Sequence, residues 1–243
     1  MLVTSIGHSR FIVEFGLQML PRQGIVMAVE LHGYQYSVYN RIARIVLAEK
    51  NVTYTRIEVD PFQESIPEQY RAMHPFLRVP TLVHDDFILY ETSAITRYVD
   101  DSFSGPQLQP NNPRESARMS QIISVIDNYG YWPMVRQVAS QRIFRPRAGE
   151  PSDEEEVQSG LEASARVLDA IEKLITGREF LVGTHLSLCD IHLAPMIAYF
   201  AMAAEGAATL SGRPRLSQWW TLMQERPTVV DTDPGLPTKC CRE

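Results

Sequence analysis

The sequence predicts a protein in two parts, a small α/β domain followed by an all-helical domain. In the first part, stretches with strand patterns alternate with stretches of helical spacing, which favours an α/β layer around a mixed sheet. The segment SFSGPQLQPNNP is rich in Gly, Pro and Asn and predicts a linker. Beyond it, the apolar residues follow helical spacing alone. We therefore expect the α/β domain over 27–103, the linker over 104–113, and the helical domain with a polar tail over 114–243.

The elements of the α/β domain follow from local patterns, after an N-terminal extension over 1–26 that we interpret as marginal to function. VELH predicts a strand that ends at Gly33, and a helix runs over 40–49 with Arg41 and Arg44 on its solvent side. TYTRIEVD predicts a second strand, and the polar stretch after it holds at most a short helix. TLVHDDFILY predicts a hairpin that turns at its two aspartates, and another helix follows it.

Two apolar stripes and two capping signals define the helical domain. Ser152 precedes a run of acidic residues, which indicates a helix start, and Pro133 predicts a kink. In THLSLCDI, Ser187 and Asp190 stand at the N-cap and N3 positions of a variant capping box, which we interpret as structural. The first stripe consists of Met119, Ile122, Ile123 and Ile126, and the second of Leu161, Ala165, Leu168, Ile171 and Leu174.

Composition and charge exclude several classes of partner. The net charge is −6 and no basic run occurs, so we expect neither nucleic acid nor an anionic membrane as a partner. No apolar run approaches the length of a membrane span. The three cysteines have no metal-binding spacing and no disulfide framework, and the adjacent pair Cys240 and Cys241 favours a reducing cytoplasm. The scattered histidines also lack metal spacing, so we predict no metal site.

The turn GYQYSVYNR crowds three tyrosines and one serine in front of a helix. A turn uses about one polar side chain to bond its own backbone, so one of these hydroxyls is a candidate for chemistry. Ser37 could equally be a simple helix cap, and Tyr36 beside it is an alternative donor. Because no cysteine lies near this turn, the sequence excludes a Cys-based disulfide reductase there.

Two further stretches could bind a small peptide. In RVPTL, Pro80 directly precedes a strand, and a cis bond there would present the N–H and C=O of Val79 outward to pair with an extended peptide. The alternative is an ordinary trans proline. In YETSAI, Thr92 or Ser93 can cap a helix. Alternatively, this helix start could bind a carboxylate while Glu91 holds an ammonium group, which together would bind an α-amino acid head.

In chain order, YSVYNRIARIVLAEKNVTY, HPFLRVPTLVHDDFILYETSAITRYV and FLVGTHLSLCDIHLAP resemble a cytosolic glutathione S-transferase, of bacterial type with a serine-type active site. The resemblance spans both predicted domains. It implies a thioredoxin-like domain followed by an all-helical domain, a detoxifying transferase of the cytoplasm, and a homodimer.

The resemblance also implies roles for individual residues. Pro80 matches the family's cis-proline, and Val79 matches the residue whose backbone pairs with the cysteinyl group of glutathione. Glu91 and Thr92 match the pair that holds the γ-glutamyl head. In the preceding loop, HPFLR replaces the family's Asn-Pro-x-Gly-Lys/Gln, so a glycine is missing, while Arg78 could still bind the glycyl carboxylate.

The thiol-activating group is expected at Ser37. It stands four residues before Arg41, as in serine-type members of the family, and near the start of a helix whose positive end would favour a thiolate. The second substrate, a small hydrophobic electrophile, should bind between the domains. Candidates for its pocket, which could alternatively be core residues, are Tyr36, Tyr129, Tyr131, Trp132 and Met134.

The predicted function is therefore a glutathione transferase, with glutathione as a cosubstrate and no cofactor. Two alternatives stay open from the sequence. One is a non-catalytic binding protein with the same fold. The other is an enzyme that uses glutathione for isomerisation, dehalogenation or peroxide reduction.

Overall fold

The computed structural model describes residues 28–63 and 65–237. The predicted N-terminal extension over 1–26 and the pair Cys240 and Cys241 lie outside the described residues. In the first half of the chain, strands and helices alternate in the predicted order. The elements are β1 (Val29–Gly33), α1 (Val38–Glu49), β2 (Thr55–Glu58), α2 (Glu68–Met73), β3 (Thr81–His84), β4 (Phe87–Tyr90) and α3 (Thr92–Ser102).

The four strands form one mixed sheet in the order β2-β1-β3-β4. β1 pairs with β2 in parallel and with β3 antiparallel, and β3 and β4 form the predicted hairpin. Asp85 makes the hairpin turn at φ 56°, a conformation that Asp tolerates better than most residues. The inner strands β1 and β3 are mostly buried and the edge strands are more exposed, so the sheet core lies under α1 and α3.

The predicted solvent side of α1 is wrong, because Arg41 and Arg44 are both buried, at 2% and 7% exposure. Arg41 Nη2 donates to the carbonyl of Val229 at 2.8 Å and to Asp233 Oδ2 at 3.1 Å. Both acceptors belong to the C-terminal part of the chain, which packs over α1. Helical spacing identified the apolar face of α1 correctly, but it could not show that a distant segment covers the opposite face.

Among the residues that the structure describes, every element after α3 is helical. Between α4 and α5 the turns widen to the π-helical form, at Pro133 and around it. A proline lacks an N–H and its ring crowds the preceding turn, which a wider turn accommodates. The elements are α4 (Pro113–Val125), π1 (Ile126–Gly130), π2 (Trp132–Phe144), α5 (Arg145–Arg147), α6 (Glu154–Leu174), α7 (Leu188–Phe200), α8 (Ala204–Ser211), α9 (Pro214–Met223) and α10 (Pro227–Asp231).

Two details of α6 differ from the prediction. Asp153 rather than Ser152 is the N-cap, and it accepts from the N–H groups of Glu155 and Glu156. The buried face is also rotated relative to the predicted stripe, because it includes Gly160 and Ser164. A Cβ on Gly160 would lie 2.7 Å from the Cβ of Gln137 in π2. The two helices therefore approach through small residues, which an apolar stripe does not identify.

α7 is the central helix of the second domain, and nearly every one of its residues is buried. Its start carries the predicted capping box: the Asp190 carboxylate accepts from the Ser187 N–H at 2.9 Å and from the Ser187 hydroxyl at 2.7 Å. The α/β sheet domain and the helical domain together confirm the predicted fold class. No helix in the described part of the chain has the length and apolar character needed to cross a membrane.

Candidate active site

A cavity of about 670 Å³ opens between the two domains. One side consists of the turn after β1, the segment before β3 and the start of α3. The other side consists of π1, π2 and Tyr199 from α7. The cavity brings together every residue that the sequence assigned to glutathione and to its activation, namely Ser37, Arg78, Val79, Pro80, Glu91 and Thr92.

Ser37 is held by a tight turn between β1 and α1. Its N–H donates to the Tyr34 carbonyl at 3.0 Å, and Asn40 Nδ2 donates to the same carbonyl at 3.0 Å. Gly33 is required for this packing, because a Cβ there would overlap the carboxamide of Asn40. These hydrogen bonds and this close packing therefore fix the turn, and with it the position of Ser37.

The Ser37 hydroxyl caps α1 and still has a donor available to the cavity. Its oxygen accepts from the Asn40 N–H at 3.3 Å, so Ser37 is the N-cap of α1. A hydroxyl also carries one donor, and capping leaves that proton free for an acceptor in the cavity. Val38 and Tyr39 line the cavity as well, and the first N–H groups of a helix have no partner within it. A bound anion at Ser37 would thus lie at the positive end of α1.

The segment before β3 presents backbone groups to the cavity. The Val79–Pro80 peptide bond is cis, as the peptide-pairing interpretation required. Among the described residues, neither the N–H nor the C=O of Val79 has a hydrogen-bond partner, so both can pair with an extended ligand. Tyr70 supports this segment from α2, since its hydroxyl donates to the Arg78 carbonyl at 2.5 Å and lies 3.0 Å from Thr81 Oγ1.

The loop HPFLR keeps a tight turn despite the missing glycine. Leu77 has φ 53°, in the left-handed region where glycine is usually preferred. Buried His74 contributes, because its carbonyl accepts the Leu77 N–H at 3.1 Å and its Nδ1 accepts the Phe76 N–H at 3.3 Å. Burial also lowers the pKa of His74, opposed by nearby Glu91, so this imidazole is neutral at neutral pH.

Glu91 has an unusual backbone conformation at the start of α3, with φ 72° and ψ 116°. Residues with a side chain rarely adopt it, and such conformations often mark ligand-binding positions. Its side chain makes no cap hydrogen bond to α3. The Glu91 carboxylate is therefore free to bind a cation in the cavity, while Thr92 lies buried at the first helical position beside it.

The hydroxyls of Tyr34 and Tyr39, on either side of Ser37, stay protonated at neutral pH. Burial, with help from the Asp60 carboxylate, raises the pKa of Tyr34 to about 12. Burial raises the pKa of Tyr39 further, with contributions from Asp127, Tyr131 and Glu91. These two phenols can therefore donate hydrogen bonds but carry no charge of their own.

Three of the five residues predicted for the electrophile pocket line the cavity, and two do not. Tyr36, Tyr131 and Trp132 line the cavity. Met134, in contrast, is fully buried in the core, and Tyr129 is 66% exposed and does not line the cavity. The wide turns of π1 and π2 change which residues share a face, so the sequence could not separate the cavity wall from its neighbours.

Asp127, Arg136 and Tyr199 are among the cavity residues that the sequence interpretation missed. Asp127 follows the first apolar stripe directly and Arg136 lies one turn beyond Trp132, but charged residues at such positions commonly face solvent. Tyr199 lies in the mostly apolar α7, and its hydroxyl donates to the Tyr36 carbonyl at 3.1 Å across the domain boundary. The one available sequence signal for Tyr199 was a tyrosine within a mostly apolar helix, because a buried tyrosine usually needs a hydrogen-bond partner.

Comparison with known proteins agrees with this architecture. Residues 31–107 match the family model "Glutathione S-transferase, N-terminal domain", and residues 131–227 match "Glutathione S-transferase, C-terminal domain". Glutathione S-transferase F13 of Arabidopsis thaliana is 30% identical over 86% of this chain and 97% of its own length. Glutathione S-transferase 3 of Zea mays is 26% identical over 79% of this chain and 87% of its own length.

Solved structures give the same result. The apo form of glutathione S-transferase III matches with a TM-score of 0.75 and 26% identity, over 86% of this chain and 97% of that one. A theta class glutathione S-transferase from Xanthomonas axonopodis pv. citri, with glutathione bound, matches with a TM-score of 0.70 and 25% identity. That match covers 85% of this chain and 97% of the other.

The fold and the cavity define a two-domain protein in which a thioredoxin-like domain and a helical domain enclose a ligand cleft. The chain belongs to the glutathione S-transferase family and is a transferase enzyme. The two curated relatives named above are plant proteins, and they do not confirm the expected bacterial type. The serine-type active site stays a prediction.

Proposed function

We propose that this glutathione transferase activates the thiol of glutathione with the hydroxyl of Ser37 and transfers the thiolate to a hydrophobic electrophile held between the domains. The single observation that supports this most strongly is the shared cavity, which is lined by Ser37, the Val79–Pro80 segment and Glu91. Thr92 and Arg78 line it as well. In this arrangement Glu91 binds the ammonium of the γ-glutamyl head, Val79 pairs with the cysteinyl backbone, and Arg78 binds the glycyl carboxylate.

To activate glutathione, the site must stabilise its thiolate more than its thiol. A thiol with its ordinary pKa of about 8.5 is only about 3% ionised at neutral pH. Lowering that pKa by about two units requires roughly 2.7 kcal/mol of preference for the thiolate. A hydrogen bond from the Ser37 hydroxyl and the positive end of α1 can supply it.

The transfer step needs no protein group beyond the Ser37 hydroxyl and the start of α1. The thiol proton leaves to solvent, the thiolate sulfur forms a bond to an electrophilic carbon, and a leaving group such as halide departs with the electron pair. Ser37 keeps its own proton throughout, because it acts as a donor. Glutathione is consumed as a cosubstrate.

A turnover screen with and without glutathione tests this function. We expect glutathione-dependent consumption of an aryl halide, with formation of the thioether, and no consumption without glutathione. Turnover of hydroperoxides or α-halo acids alone would favour the peroxidase or dehalogenase alternative. Tight glutathione binding with no turnover of any compound would favour the non-catalytic binding protein.

The oligomeric state and the cellular location belong to the same proposal. We expect a homodimer, which light scattering would detect as twice the chain mass of 27.6 kDa at micromolar concentration. A monomer mass would contradict it. The cytoplasmic location is likewise a proposal, and it is supported by the cysteine usage of the sequence.

A further inference from the structure

A positive charge lies on the cavity wall among apolar and neutral side chains. Arg136 belongs to π2, whose other cavity-lining side chains are Trp132, Val135, Ser140 and Phe144. Its guanidinium carbon lies 5.5 Å from the ring centre of Phe62, which follows β2 in the α/β domain. This contact holds the charge between the two walls of the cleft.

The contact with Phe62 leaves the N–H donors of Arg136 available. A guanidinium that lies over an aromatic ring uses its face for that contact, while its N–H groups point outward in its plane. No carboxylate in the described part of the chain forms an ion pair with Arg136. The in-plane donors match the two oxygens of a carboxylate.

Among the described residues, the two acidic side chains that line the cavity are Glu91 and Asp127. Glu91 and Asp127 both raise the pKa of Tyr39, so both lie near that phenol. Asp127 Oδ1 also lies 3.5 Å from Nδ1 of buried His192, so the Asp127 carboxylate already has a polar partner. Glu91 and the remaining arginine, Arg78, are assigned to glutathione in the proposed function. Arg136 is thus the charged group left for the second substrate.

We propose that the second substrate is an aromatic electrophile that carries a carboxylate, with its ring among the aromatic side chains of the cleft and its carboxylate on Arg136. The inference rests on the proposed function, because the electrophile must reach the sulfur of glutathione in the same cavity. The carboxylate takes no part in bond formation. The sulfur–carbon bond forms and the carbon–halogen bond breaks elsewhere on the ring.

Two matched probes test the inference, para-chloro-meta-nitrobenzoate and its neutral amide, together with the glutathione thioether of each. Calorimetry measures the binding of both thioethers to the wild type, to Arg136→Gln and to the control Arg118→Gln, which lies on α4 and does not line the cavity. Steady-state kinetics measure kcat/KM for both aryl chlorides. The binding measurement reports on Arg136 even if turnover is slow.

We expect Arg136→Gln to weaken the carboxylate thioether about tenfold, through loss of a charge-assisted hydrogen bond. The amide thioether should change by less than about twofold, as should both ligands on Arg118→Gln. An equal effect on both thioethers, or none on the carboxylate, would overturn the inference and leave the proposed function intact. If the wild type binds neither thioether nor glutathione, the proposed function fails and the inference fails with it.

Discussion

At the scale of single residues, Glu91 shows how the site differs from a structure optimised for stability. Its φ of 72° is a conformation that favours glycine, and yet the position holds a glutamate that lines the cavity. A strained backbone of this kind costs on the order of 1–3 kcal/mol. The proposed reason for keeping the side chain is its carboxylate, which binds the γ-glutamyl ammonium.

Comparing Glu91→Ala with Glu91→Gly separates the effect of backbone strain on stability from the effect of the carboxylate on glutathione binding. Both remove the carboxylate, so both should weaken glutathione binding about tenfold or more by calorimetry. Glycine also relieves the strained φ, and alanine does not. We therefore expect Glu91→Gly to have a free energy of unfolding about 1 kcal/mol above that of Glu91→Ala. Unchanged glutathione affinity in both variants would remove Glu91 from the site.

At the scale of elements, the capping box of α7 joins three parts of the helical domain. The Asp190 carboxylate accepts from the Leu181 N–H at 2.8 Å and from Trp219 Nε1 at 2.9 Å, in addition to its two bonds with Ser187. Burial raises the pKa of Asp190, and the four donors oppose that shift. The carboxylate thus fixes the preceding loop, the start of α7 and the helix α9 to one another.

Asp190→Ala should therefore affect stability and leave the chemistry intact. Several buried donors would lose their acceptor, and we expect the free energy of unfolding to fall by about 3 kcal/mol or more in urea. The fraction that stays folded should keep the kcat/KM of the wild type. Asp169→Ala is the matched control, because within the described residues its exposed carboxylate pairs only with Arg213, and its loss should cost less than about 1 kcal/mol. A stable Asp190→Ala protein with reduced kcat/KM would contradict the structural role.

The sequence predicted most elements because their signals are local. The hairpin at Asp85 and the capping box at Ser187 depend on neighbouring residues, and both are confirmed. The burial of Arg41 depends on Val229, 188 positions further along the chain, so no local pattern could predict it. The proposed glutathione residues were predicted from local motifs and the family resemblance, while Arg136 depends on wide helical turns and a contact with the other domain.

At the scale of the whole molecule, the active-site turn is also supported by the helical domain. The Tyr199 hydroxyl donates to the Tyr36 carbonyl at 3.1 Å, immediately before Ser37. Burial raises the pKa of Tyr199, so the phenol remains a donor at neutral pH. The position of Ser37 therefore depends on how the two domains are packed.

Tyr199→Phe should reduce kcat by about threefold to tenfold, because one buried hydrogen bond that positions the turn is lost. The KM for glutathione should change little, since its proposed contacts lie in the α/β domain. Tyr98→Phe is the matched control: its hydroxyl lies 2.8 Å from His84 Nδ1, and neither residue lines the cavity. Equal kcat values for the two variants would mean that the interdomain bond does not position Ser37.

The central claim is that the Ser37 hydroxyl stabilises the thiolate of glutathione, and the pH dependence of kcat/KM tests it most directly. We expect Ser37→Ala to raise the apparent pKa by about 1–2 units. Its deficit should be large near about pH 6.5 and small above about pH 9, where the thiol ionises unaided. Ser37→Thr keeps the donor and should keep the wild-type profile. Full activity of Ser37→Ala, together with loss of activity in Tyr36→Phe, would contradict the assignment.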